Sequence, residues 1–148
     1  HSSKGFNMKY LLLVFSLAFA SHAWGGDNNI IGKWQGQNTK DGVMIFYENG
    51  KLDLLSKDGK PAFSGKSAPT ITWEAIIEVI PHQLYINMSH KDRRERIPLG
   101  IYKIVKNKLI LREPITYHRT MGGFDMGVSR YEIPKDFSGI LKVFKRAK

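Results

Sequence analysis

Cysteine is absent from the 148 residues, and that single gap closes several routes. No disulfide can staple the fold, no thiolate can bind a metal or attack a substrate, and no lipidated cysteine can hold the chain at a membrane. Stability has to come from buried apolar surface. Acidic residues are scarce as well, 13 against 23 lysines and arginines, which leaves a formal charge of +10. Beyond residue 23 no apolar run is long enough to span a bilayer, and no segment keeps a helical period. Internal repeats, low-complexity tracts and linkers are missing too, so one domain is expected rather than several.

What is present begins with a secretory leader over residues 8–23. Lys9 supplies a basic n-region, Leu11 to Ala20 an apolar stretch broken only by Ser16, and Ser21-His22-Ala23 the small residues that precede cleavage. The stretch is about half of the roughly 20 residues that a spanning helix needs. Residues 1–7, ahead of Met8, read as a cloning remnant. Cleavage after Ala23 removes 23 of the 148 residues, Lys4 and Lys9 among them; the 125 that remain carry 21 basic and 13 acidic side chains, a formal +8. That length suits a single domain, expected over 27–148, and the expected address is periplasmic or secreted.

The remainder reads as short apolar runs separated by turn residues. Val43–Tyr47 and Lys51–Leu55 flank "ENGK", whose Asn49-Gly50 suits a tight hairpin. "KDGK" at 57–60 offers a second turn, followed by a weak strand over 61–65. From Ile71 to Ile80 apolar residues alternate, with Ile71, Trp73, Ala75, Ile77 and Val79 expected inward and Glu74 and Glu78 outward. Leu84, Ile86 and Met88 form a further half-buried strand after a "PHQ" turn, and "HKDRRER" reads as a charged loop. Ile97–Val105, Leu109–Arg112 across "KNK", and Ile140–Phe144 complete the set. Eight to ten short antiparallel strands in one unit predict an all-β barrel, because closure removes exposed strand edges.

Gly32-x-Trp34 on the first strand, "RIPLGIYKIVKNKLILREP" (96–114), "IPKDFSG" (133–139) and "LKVFKR" (141–146) together resemble a family of uncharacterised, exported, lipocalin-like bacterial proteins. The resemblance spans Ile30 to Arg146. It implies that Gly32 opens the barrel, that Trp34 closes one of its ends, and that Arg146 from the last strand lies across the indole. The family's late segment is usually short, whereas here Ile115 to Tyr131 inserts "ITYHRTMGGFDMGVSRY", about which the resemblance is silent.

Little in the chain points to chemistry. His82, His90 and His118 lie too far apart in sequence to suggest a metal site, so neither metal nor cofactor is expected. There is no nucleophile elbow and no phosphate-cradling glycine loop. Glu74 and Glu78, four residues apart on one strand face, stand about 13 Å from each other, too far for a retaining glycosidase pair. An enzyme is not expected. Lys91, Arg93, Arg94 and Arg96 of "KDRRER" are partly neutralised by Asp92 and Glu95 and lack interleaved aromatics, so nucleic acid is not an expected partner. The sequon Asn87-Met88-Ser89 reads as coincidence on a strand.

The expected activity is therefore non-enzymatic: a monomeric barrel that binds a small apolar or amphipathic molecule in its mouth, as the resemblance implies. The wall of that mouth is assigned to Trp73, Tyr117, Met121, Phe124 and Met126, with Arg119 available to an anionic head group. The alternative is an envelope interaction module or inhibitor that sets its basic loops and the 115–131 segment against an acidic protein or an anionic envelope surface.

Overall fold

The structure, a computed structural model, describes residues 29–38 and 40–148. The expected leader lies outside the described residues. Ten strands follow one another: β1 (Gly32–Gly36), β2 (Val43–Phe46), β3 (Leu52–Leu55), β4 (Thr70–Ile76), β5 (His82–His90), β6 (Arg93–Val105), β7 (Lys108–Arg112), β8 (Ile115–Met121), β9 (Phe124–Glu132) and β10 (Lys142–Arg146). Eight of them form one antiparallel sheet in the order β3-β2-β1-β10-β7-β6-β5-β4, and β8 pairs with β9 alone. The two outer strands of the large sheet meet where Lys51 bridges to Thr72 and the Trp73 amide donates to the Gly50 carbonyl at 2.9 Å. The fold is thus an all-β antiparallel sheet nearly closed into a barrel.

Turn chemistry sets the register. Lys106 and Asn107 both take positive φ, 49° and 62°, so Val105 and Lys108 pair directly across a two-residue turn. The charged segment after β5 is not the loop that its composition suggested. Only Lys91 and Asp92 turn; His90 pairs with Arg93, and Arg93 to Arg96 extend β6. Charge density marks solvent exposure, and a strand exposed on both faces is as polar as a loop. Pro61 makes an isolated bridge to Leu55 and no strand follows it. The last strand starts at Lys142, leaving Ile140 exposed.

Trp34, Phe46, Leu52, Leu84, Tyr102, Leu109, Leu111 and Phe144 fill the interior. Along β4, Ile71, Trp73 and Ala75 join this core, but Ile77 and Val79 do not. The strand ends at Ile76 and the chain then bends toward the cis Ile80-Pro81 bond, so the inward alternation stops four residues earlier than the sequence pattern, at Ala75 rather than Val79. Glu74 points outward and receives Arg96 Nε at 3.2 Å, while the Arg96 guanidinium lies 3.9 Å from the centre of the Tyr85 ring.

Residues 133–139 strap the outside of β6 and β7. Tyr102 and Leu111 pair and face inward, so Ile101 and Arg112, the next pair, face outward. Arg112 Nη1 donates to the Asp136 carbonyl and carboxylate, both at 2.9 Å, and Lys103 sits 4.5 Å above the Phe137 ring. Hydrogen bonds from Ser138, and then the Arg112 charge, hold the Asp136 carboxyl below its ordinary pKa. A depressed carboxylate pKa means that the contact is complete above the unfolded value and is lost as pH falls through the folded one. In a carbon-detected NMR titration Asp136 should titrate below a free aspartate, with the Ser138 amide moving at the same midpoint. Arg112→Gln should raise that midpoint; an unchanged midpoint removes Arg112 from the contact.

Candidate functional site

The end of the barrel where β1 begins is sealed. Trp34 is fully buried, and its Nε1 donates to the Ile30 carbonyl at 2.7 Å. Trp34 and Arg146 are register partners, and the guanidinium carbon lies 4.2 Å from the indole centroid. Arg146 also donates to the Ile31 carbonyl at 3.1 Å and to the Asn29 carbonyl at 2.6 Å, tying the entering chain over the indole. Gly32 permits this close approach, since a Cβ there would sit 3.1 Å from Arg146 Nη1. The chemistry of this end is structural.

The other end, where β10 begins, is open. A cleft of about 240 Å³ has a floor of Met44, Leu54, Leu99, Leu111 and Phe144 and a rim of Lys40, Asp41, Glu113 and Lys142. Lys142 pairs with Leu111, a core residue, so its stem runs along the inner wall before its head emerges. The ammonium then stands 3.1 Å from Glu113 and 3.6 Å from Asp41, a lysine held between two carboxylates above an apolar floor. Such a site can take an apolar tail below and a charged or hydrogen-bonding head at the rim. A second cleft, about 290 Å³, follows the seam between β3 and β4 beneath Pro61, Phe63 and Pro69.

The residues expected to wall the mouth fall into two places. Trp73 belongs to the seam: its ring meets Phe46 edge-on at 5.6 Å and its Nε1 donates to the Tyr47 carbonyl at 2.9 Å, pinning β4 to the β2–β3 turn. Tyr117, Arg119, Met121, Phe124 and Met126 lie together on the β8–β9 hairpin, every strand residue of which is exposed. None of the six lines either cleft described above. The inserted segment is a two-stranded hairpin turned by Gly122-Gly123, with register shifts on either side of His118, not a loop folded over the opening. Sequence reasoning missed Lys142, Asp41 and Glu113. A signal existed in Lys142-x-Phe144-x-Arg146, where strict alternation on a closing strand puts a lysine on the inner face.

Among the described residues no three histidine or acidic side chains are grouped to hold a metal ion, and no helix is long and apolar enough to cross a membrane. Comparison with protein-family models, curated proteins and solved structures finds no match for this chain.

Proposed function

We propose that the protein is an exported, non-enzymatic member of the lipocalin-like class that binds a small amphipathic molecule at the open end of its barrel. The observation that carries this reading is the pairing of an apolar floor with the Lys142, Asp41 and Glu113 rim in one cleft of about 240 Å³. That volume lies below the roughly 300 Å³ at which drug-sized sites begin, so the guest is a short chain or a single ring. Sealing by Trp34 and Arg146 at the opposite end makes the mouth the one route into the barrel that this reading uses. An anionic head competes with the two carboxylates for Lys142, while the tail replaces water over Leu99 and Leu111.

Titration with a short-chain or single-ring anion such as hexanoate or salicylate, followed by calorimetry, should show saturable binding. Leu99→Trp, which fills the cleft from its floor, should weaken binding at least tenfold while the melting temperature holds, and Lys142→Met should weaken anionic probes more than neutral ones. Equal affinity in Leu99→Trp would place the probe elsewhere and overturn the reading.

A further inference from the structure

The β8–β9 hairpin takes no part in closing the barrel, and its two sides differ in chemistry. Register pairs Tyr117 with Arg130, His118 with Val128, Thr120 with Asp125 and Met121 with Phe124. Directly paired residues share a face, and two register shifts beside His118 break the alternation of β9, so one face carries Tyr117 with Arg130 and Met121 with Phe124, joined by Arg119 and Met126, while the other carries His118 with Val128 and Thr120 with Asp125. The contacts obey this division: Arg130 stacks 4.0 Å over the Tyr117 ring on the first face, and His118 meets Asp125 at 3.1 Å on the second. Met121 is 60% exposed, Phe124 75% and Met126 60%.

We propose that this first face docks flat on an anionic lipid surface, with Met121, Phe124 and Met126 in the headgroup boundary and Arg119 and Arg130 on the phosphates. Burying one face supplies stabilisation that an isolated two-stranded hairpin lacks in water. Sidedness fits, because Asp125 projects away from the surface, held by the Gly127 amide and by His118. Glu132, at the root of the docking face, accepts a hydrogen bond from the Tyr117 hydroxyl at 2.9 Å. Spacing fits as well: Arg119 stands two residues, about 7 Å, from Met121 along the strand, so a guanidinium lies beside each inserted apolar side chain in the plane of the headgroups. The chain's formal +10 attracts anionic lipid and opposes packing against a second copy of itself.

The chain contains no cysteine, so a single introduced one can be labelled uniquely. In the full chain, an environment-sensitive fluorophore at Met126→Cys should shift to the blue with phosphatidylglycerol vesicles, and the same label at Thr120→Cys should stay close to its emission in water. Because each label reports only its own surroundings, attachment through residues 8–23 does not imitate this difference. The double variant Phe124→Ser/Met126→Ser, altered only at exposed positions, should lose at least tenfold in vesicle partitioning at an unchanged melting temperature. Phosphatidylcholine vesicles and high salt should weaken binding of the parent chain. Identical emission from both labels in vesicles and in buffer overturns the proposal. So does a lipid-independent dimer that disappears in the double variant, which would make the face an interface between copies.

Discussion

Replacing Trp34 with alanine is expected to cost about 3–5 kcal/mol of unfolding free energy, a large share of the roughly 5–15 kcal/mol that holds a domain together. Its indole is fully buried, it fills the sealed end of the barrel, and it is the platform on which Arg146 rests. Removing it leaves a cavity, takes away the Nε1 hydrogen bond to Ile30, and removes the ring that supports Arg146, whose hydrogen bonds to Ile31 and Asn29 are the other anchor of the chain entering β1. Arg146→Ala should cost less, because the guanidinium over the ring contributes about 0.5–2 kcal/mol and the core volume stays filled. Arg146→Lys should not restore it, since an ammonium cannot stack flat while donating to two carbonyls. Urea unfolding followed by circular dichroism gives the three values. A loss below about 1 kcal/mol for Trp34→Ala would show that the cap is decorative.

Gly100→Ala is expected to be nearly as severe, at about 3 kcal/mol or more. Gly100 has φ of +137°, where strain costs other residues about 1–3 kcal/mol, and a Cβ there would stand 1.9 Å from the Arg112 carbonyl oxygen. The neighbour is backbone and cannot rotate aside, so β6 and β7 would have to part. Gly100 also sits at the β-bulge where Leu84 pairs with it and Tyr85 pairs with Pro98, leaving Leu99 as the extra residue over the mouth cleft. The substitution should therefore lower stability and also displace Leu99. Thermal unfolding together with probe affinity measures both effects, and a stable protein with unchanged affinity would contradict this account of the bulge.

The barrel was legible because its strands announce themselves twice, by alternation and by turns. "ENGK" and "KNK" fix two hairpins, and Ile71, Trp73 and Ala75 alternate inward as their pattern requires. What the pattern could not supply was the point at which a strand stops meeting the core. Ile77 and Val79 continue the alternation in sequence but lie past the end of β4, and Arg93 to Arg96 look like a loop while lying in β6. Both cases depend on how far a neighbouring strand extends, a nonlocal fact. The site was half legible for the same reason. Tyr117, Arg119, Met121, Phe124 and Met126 do share one face, because a hairpin pairs residues that are close in sequence. The mouth draws Asp41, Leu54, Leu99, Glu113 and Lys142 from separate parts of the chain, and only the sheet order brings them together.

Methyl NMR of the protein titrated with octanoate decides whether the open end of the barrel receives the tail of a small amphipathic molecule. Saturable shifts are expected at Met44, Leu54, Leu99 and Leu111, with the Met121 and Met126 methyls unmoved and the effect weakened in Lys142→Met. Shifts confined to Met121 and Met126, or none up to the solubility limit of octanoate, would contradict binding at the open end.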